Sequence, residues 1–197
     1  VSGTHCGIPD IPAVASLLGR LHAQAYNREL HAAQMDRPFR IRDRTLMDAF
    51  VQPRITALER RRRSGTLRRQ EQEFAAAVVT RAADQPAAVY KDTNIRNVLL
   101  SPGSGPQLLD FDDLTLAPFG YDLAKLLLSA AMTYGPLPPK VHRQALATYQ
   151  QAVQEHGGPA TPCPWEDFTD WLTLHAALTS NYLGHNGYRH RWAGLDY

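Results

Sequence analysis

Two carboxylates and an amide suited to metal or proton chemistry lie in one short stretch of the sequence. Asp92 and Asn97 precede an apolar run at 98–100, and Asp110 lies within a second apolar run at 108–111. A turn of Ser, Pro and Gly separates the runs, which predicts a β-hairpin. At its base the carboxylates would repel one another unless a cation or a proton joined them. Mg²⁺ takes oxygen ligands, so we expect it at this position.

Three more charged residues flank these groups. Asp112 and Asp113 follow the second apolar run, and Lys91 directly precedes Asp92. They are candidates for contacts with substrate or for support of the site. Taken singly, Asp and Asn beside turns often only hydrogen-bond the local backbone. The combination and its spacing favour a functional site.

The spacing carries a family resemblance. Asp-x-x-x-x-Asn at 92–97, followed after the hairpin by Asp-Phe-Asp at 110–112, resembles the catalytic loop and metal-binding segment of protein-kinase-like phosphotransferases. With Phe-Gly-Tyr-Asp-Leu-Ala at 119–124, it more closely resembles the aminoglycoside phosphotransferase and choline kinase branch.

The resemblance implies a role for each matching residue. It implies that Asp92 is the catalytic base, that Asn97 and Asp110 are Mg²⁺ ligands, and that Asp122 supports the catalytic loop from behind. It also implies ATP as phosphoryl donor and a small-molecule hydroxyl as acceptor, on an antibiotic, a sugar or an amino alcohol.

One dipeptide departs from the family pattern. Tyr90-Lys91 stands where the branch usually has His-Gly. Because the first of these positions mainly orients the loop, Tyr90 can replace His there as catalytic-loop support. Lys91 changes the surroundings of the catalytic carboxylate and the approach of the substrate.

Apolar periodicity predicts helices around the hairpin, over about 11–25, 46–58, 69–83, 121–132 and 139–156, and from about 161 or 164 onward. Residues 26–44 and 115–120 are expected to be irregular. We therefore expect a mainly α chain with a small β-hairpin (α+β), forming a single domain over 1–197. The catalytic loop and metal segment would span 90–113, and the acceptor-side helices 121–190.

The ATP-covering part of such kinases is a small N-terminal β-lobe with a Gly-rich loop and a strand Lys. Gly3, Gly7 and Gly19 are isolated, and no β-rich segment precedes the first helix. We therefore expect a protein-kinase-like C-terminal lobe without that β-lobe, as a fragment or truncated form. A natural truncation that lost activity and a completing partner chain remain open. The alternative function is a non-catalytic kinase-like scaffold or binding module.

The composition and net charge do not indicate a strongly basic or acidic binding partner. The net charge is +2, with 44% hydrophobic and 20% charged residues. The arginines at 60–69 are interpreted as a solvated helix end, and nucleic-acid binding is disfavoured because no aromatic residue interleaves them.

No apolar run is long enough for a membrane span. Cys6 and Cys163 are expected as free thiols in a reducing cytoplasm. Whether the chain forms a homo-oligomer stays open.

Several other polar residues are of types that can bind ligands. His22 is expected to be a packed or surface histidine. The spacing of His185 and His190 does not favour a metal site. Glu155, Glu166 and Asp167 are candidates for contact with a cationic acceptor.

Overall fold

A computed structural model describes residues 3–42, 45–110 and 114–195. The helices are α1 (Ile11–Arg28), α2 (Val51–Arg63), α3 (Arg69–Arg81), α4 (Tyr121–Tyr134), α5 (Pro139–Glu155) and α6 (Trp165–Thr179). The strands are β1 (Thr4–His5), β2 (Phe39–Ile41), β3 (Thr45–Met47), β4 (Ala87–Tyr90), β5 (Val98–Ser101), β6 (Gly105–Leu108) and β7 (Thr115–Pro118). The described fold is therefore mixed α and β. Among the described residues, no helix is long and apolar enough to cross a membrane.

The centre of the fold is α4. Every residue from Tyr121 to Met132 is buried, because α1, α5 and α6 all pack around this helix. Its sequence is rich in Leu and Ala on all sides, as a helix enclosed by other helices requires. Three of its buried side chains are nevertheless polar: Asp122, Lys125 and Ser129.

The predicted hairpin is present. Strands β5 and β6 pair antiparallel, with Val98 opposite Leu108 and Ser101 opposite Gly105. β1 adds to the outer edge of β5, which gives a three-stranded sheet. The predicted second apolar run extended to Phe111, which lies outside the described residues.

Two further strand pairs correct the sequence prediction. The segment 115–120 was expected to be a loop, but Thr115–Pro118 pairs with β4 from Tyr90 to Ala87. Leu116 and Ala117 are fully buried in this pair. A four-residue strand is too short for its hydrophobic periodicity to be recognised, and the strand that pairs with it lies far away in the sequence.

The helix prediction at 46–58 was wrong in its first turn. Leu46 belongs to β3, which pairs with β2, and α2 begins only at Val51. Pro53 therefore lies in the first turn of the helix, where its missing N–H costs no hydrogen bond. The segment 26–44 is also less irregular than predicted, since α1 continues to Arg28 and β2 follows at Phe39–Ile41.

Helices α1 and α5 approach each other closely at Gly19. A Cβ atom added there would lie 2.5 Å from the Tyr149 carbonyl oxygen and 2.9 Å from the Ala152 Cβ. Both neighbours belong to α5, and one of them is backbone. The lack of a side chain at Gly19 lets the two helices come into contact.

Replacing Gly19 by Ala tests this contact. Ala is the better helix former by about 1 kcal/mol, so without the contact the variant would be more stable. We expect the forced separation of α1 from α5 to lower the free energy of unfolding by about 1–3 kcal/mol. Urea denaturation measures it, with the exposed α1 variant Gln24→Ala as control. A more stable Gly19→Ala protein would contradict the packing.

Candidate active site

The carboxylate of Asp122, on α4, holds the backbone of the loop between β4 and β5. Oδ1 accepts the Thr93 N–H at 2.9 Å, and Oδ2 lies 3.4 Å from the Lys91 nitrogen, which donates to it. Asp122 lies in the first turn of α4 and is 1% exposed. A buried carboxylate that accepts two backbone N–H groups holds the loop at either side of Asp92.

Behind Asp122 lies a second row of contacts. His22 is fully buried, so of the packed and surface positions expected for it, the packed one is found. Its Nε2 lies 3.8 Å from Asp122 Oδ2. His22 Nδ1 is 2.8 Å from the Tyr149 hydroxyl, which also accepts the Gly120 N–H at 3.0 Å. When the Tyr149 hydroxyl donates to Nδ1, the proton on Nε2 points towards Asp122. α1 and α5 thus reach the start of α4.

Ser129 holds the far end of the same loop. Its hydroxyl donates to Asn94 Oδ1 at 2.8 Å and accepts the Ile95 N–H at 3.0 Å. The Asn94 amide in turn donates to the Tyr188 hydroxyl at 3.0 Å. Tyr188 comes from the segment after α6 and is buried beneath the guanidinium of Arg96.

The carboxylate of Asp92 is held at one oxygen. Oδ1 accepts the Tyr90 hydroxyl at 2.8 Å and lies 3.1 Å from the Lys125 ammonium. No partner of Oδ2 is found in the described part of the chain, and the side chain is 62% exposed. The backbone φ of Asp92 is +57°, a left-handed conformation that Asp tolerates better than most residues.

The charges around Asp92 favour its ionised form. Partial burial raises the pKa of Asp92, but the charge of Lys125 and the hydrogen bonds from Tyr90 and Lys125 outweigh it, so the net pKa is lowered. Burial lowers the pKa of Lys125, but Asp92, Tyr188 and Tyr121 together raise it by more, so the net pKa is raised. His175 lies nearby on α6, and burial and the charge of Lys125 lower its pKa to about 3. It is therefore neutral near pH 7.

The predicted metal segment begins beside the end of this loop. The Asn97 carbonyl accepts the Leu109 N–H at 2.8 Å, which places Asp110 one residue beyond the partner of Asn97. Asp110 is exposed, with φ +64°. Asp112 and Asp113 lie outside the described residues. Among the described ones, no group of three or more His, Cys, Asp or Glu side chains is arranged to hold a metal ion.

Lys91 connects the two segments. Its side chain is buried, and Nζ donates to the Leu109 carbonyl at 2.6 Å. Burial lowers the pKa of Lys91, while Asp122, Asp110 and Asp92 raise it by less. Lys91, one of the two residues that depart from the family pattern, therefore connects the loop between β4 and β5 to the residue before Asp110.

Other candidates have contacts elsewhere. Asp167 accepts the Gln85 amide at 2.9 Å and lies 3.6 Å from Arg81, while Glu155 accepts the Gln151 amide. Glu166 lies in the first turn of α6. Within the arginine run, Arg68 and Arg69 pair with Glu71 and Glu73 on α3, and Arg61 donates to the Leu178 carbonyl. Cys6 and Cys163 are free and buried.

Sequence reasoning missed that one face of α4 supports the whole loop. Asp122, Lys125 and Ser129 are spaced i, i+3 and i+7, which places them on the same side of a helix. Asp122 holds the backbone around Asp92, Lys125 contacts its carboxylate, and Ser129 contacts the end of the loop. A polar stripe at this spacing within an apolar helix was the available signal.

Comparisons with known proteins identify the family of the chain. The family model described as the phosphotransferase enzyme family matches residues 10–165, well over half of the chain. The chain therefore belongs to this phosphotransferase family, and the resemblance to the aminoglycoside phosphotransferases and choline kinases is confirmed. No curated protein matches the chain significantly.

Two solved structures share the fold. A type I macrolide 2′-phosphotransferase is 15% identical, with a TM-score of 0.53 over 91% of this chain and 56% of that one. The choline kinase LicA from Streptococcus pneumoniae is 14% identical, with a TM-score of 0.52 over 92% of this chain and 58% of that one. The chain thus spans less than two thirds of the length of either protein.

Replacing Asp122 by Asn tests how the loop is held. The amide nitrogen would face a backbone N–H, so one buried donor would lose its acceptor. We expect the free energy of unfolding to fall by about 1–3 kcal/mol, and exchange of the Thr93 amide hydrogen to accelerate. Hydrogen-exchange NMR measures both. The exposed Asp84→Asn variant removes a carboxylate elsewhere and serves as control. Unchanged Thr93 exchange would contradict this role.

Proposed function

We propose that this chain carries the phosphoryl-transfer site of an ATP-dependent small-molecule kinase. The acceptor would be a hydroxyl of an antibiotic, a sugar or an amino alcohol. Family membership supports a phosphotransferase, and the geometry of Asp92 carries the proposal. Its Oδ1 is anchored by two donors, and its side chain is largely exposed. An anchored but accessible carboxylate is what an acceptor hydroxyl requires as hydrogen-bond partner.

Asp92 is proposed to orient the attacking hydroxyl and to take its proton. Phosphoryl transfer needs little covalent help, because its transition state is loose and depends on positioning and charge neutralisation. The hydrogen bond from Tyr90 and the support of the loop by Asp122 provide that positioning. A reacting hydroxyl would then lie within hydrogen-bond distance of Oδ2.

Asn97 and Asp110 are proposed as the protein ligands of Mg²⁺. Both supply oxygen atoms, and the hydrogen bond between Asn97 and Leu109 holds their backbones next to each other. Mg²⁺ is commonly bound by one or two carboxylates together with substrate phosphates, so a complete protein cage is not needed. When bound, the ion would neutralise charge on the phosphates of ATP.

Lys91 is proposed to maintain the spacing of the two segments. Its hydrogen bond to the Leu109 carbonyl crosses from the Asp92 loop to the Asp110 segment. It thereby restrains the backbone directly before Asp110. Asp112 and Asp113 stay candidates for contacts with substrate.

We further propose that the chain corresponds to the C-terminal lobe of a protein-kinase-like fold in the cytoplasm. The partial coverage of both solved structures and the motif positions support the assignment to this lobe. The free, buried thiols of Cys6 and Cys163 fit a reducing cytoplasm. The helices over 121–190 would then form the acceptor side. The acceptor and the nucleotide are best sought with protein expressed from the complete gene.

The proposed function predicts a large effect of Asp92→Asn. The amide keeps the shape of the side chain but cannot accept the proton. We expect phosphorylation by Mg²⁺-ATP to fall by about 10²- to 10⁴-fold, the usual contribution of a general base. Mass spectrometry of a panel of antibiotics, sugars and amino alcohols measures the product.

Asp84→Asn is again the matched control and should retain the parent rate. Equal phosphorylation by the parent and Asp92→Asn would refute the assignment of Asp92. A parent protein that neither binds Mg²⁺-ATP nor phosphorylates any acceptor would favour the non-catalytic scaffold.

A further inference from the structure

The buried lysine of α4 is not required by the family motif or by packing. Lys125 is one of three lysines in the chain, with Lys91 and Lys140. Its side chain is only 10% exposed, yet it reaches the Asp92 carboxylate at 3.1 Å. It lies on a helix whose neighbouring positions are Leu and Ala.

The two partners of this ion pair differ strongly in solvation. Asp92 is 62% exposed, so water can solvate its charge without Lys125. The Lys125 ammonium is enclosed by protein, and its desolvation is unfavourable. Apolar residues of similar volume often replace buried ion pairs without loss of stability. Stability alone therefore gives no reason for a lysine at this position.

The contact is directed at one oxygen atom. The Tyr90 hydroxyl and the Lys125 ammonium both approach Oδ1 of Asp92. Tyr90 comes from β4 and Lys125 from α4, so two separate elements fix the same atom. Two donors on one oxygen restrict both the χ1 rotamer of Asp92 and the rotation of its carboxylate, and among the described residues they leave the second oxygen without a partner.

We propose that Lys125 is a positioning residue, which holds Oδ1 of Asp92 from the protein side and leaves Oδ2 directed at the acceptor hydroxyl. This inference rests on the proposed phosphotransferase function. Lys125 acts through Asp92, and its role is to set the orientation and charge of that carboxylate.

The positive charge also determines when the proton moves. As the acceptor oxygen bonds to the γ-phosphorus, the bond to the bridging oxygen breaks and ADP leaves. The acceptor proton passes to Oδ2 of Asp92 and then to solvent. Because the nearby ammonium disfavours protonated Asp92, this transfer follows most of the phosphorus–oxygen bond changes, as a loose transition state allows.

Other titratable groups also face the pair. Asp92 is faced by Tyr90 from β4, Tyr121 from α4, His175 from α6 and Lys91 from its own loop. Lys125 is also faced by Tyr188 from the segment after α6. The Tyr90 and Tyr121 hydroxyls stay protonated near neutral pH, since burial raises the pKa of both. Lys125 is a cation in direct contact with the carboxylate.

Kinetics of Lys125→Met test the proposal. We expect kcat to fall about 10²-fold, the effect of a misplaced reacting group, with the KM for ATP little changed. The acid limb of the pH–rate profile should move to higher pH, because Asp92 loses the charge that lowers its pKa. Lys125→Arg keeps the charge and should restore part of the rate. Lys140→Met, on exposed α5 surface, is the control.

A second measurement is independent of activity. Three-bond couplings in NMR spectra report the χ1 rotamers of Asp92. We expect one rotamer in the parent and in Lys125→Arg, and averaging in Lys125→Met. A single rotamer in Lys125→Met would overturn the proposal, as would a parent-like kcat and acid limb in an active protein. If the parent and Asp92→Asn phosphorylate acceptors equally, the proposed function fails, and the couplings still decide the role of Lys125.

Discussion

The ion pair between the enclosed Lys125 ammonium and the exposed Asp92 carboxylate is the interaction on which the proposed site depends. The Lys125 ammonium can be enclosed only if the helix that carries it is itself buried. α4 meets that requirement, because α1, α5 and α6 pack around it. The same face carries Asp122 and Ser129, so one helix fixes the backbone, the carboxylate and the far end of the loop.

Such a polar stripe in a core helix has an energetic cost that its hydrogen bonds offset. Asp122 accepts two backbone N–H groups, and Ser129 both donates and accepts. Buried polar networks of this kind are rigid when their members are satisfied. The loop can therefore hold Asp92 in a left-handed conformation that an isolated peptide would seldom adopt.

Much of the architecture could be predicted from the sequence because its signals are local. The helices have long apolar periodicity, and the turn between β5 and β6 is rich in Gly and Pro. Family membership followed from Asp92, Asn97, Asp110 and Asp122, and the family model confirms it. The catalytic and metal-binding roles of these residues stay predictions.

The remainder depends on tertiary contacts that local patterns do not encode. β4 and β7 are four-residue strands from distant segments, and each is recognisable only beside the other. Lys125 carried no signal by itself, because a lysine in a helix is normally assigned to the surface. Tyr188 lies outside the matched residues 10–165, yet it contacts Asn94 in the loop.

The most direct test of this account is the titration of the Asp92 carboxyl group, followed by carbon-13 NMR of labelled protein. The charge of Lys125 and the hydrogen bond from Tyr90 should keep Asp92 ionised, so the account predicts a pKa below the ordinary value of 3.8. A pKa at or above 3.8 would contradict it, because the carboxylate would then not be held by the buried ammonium.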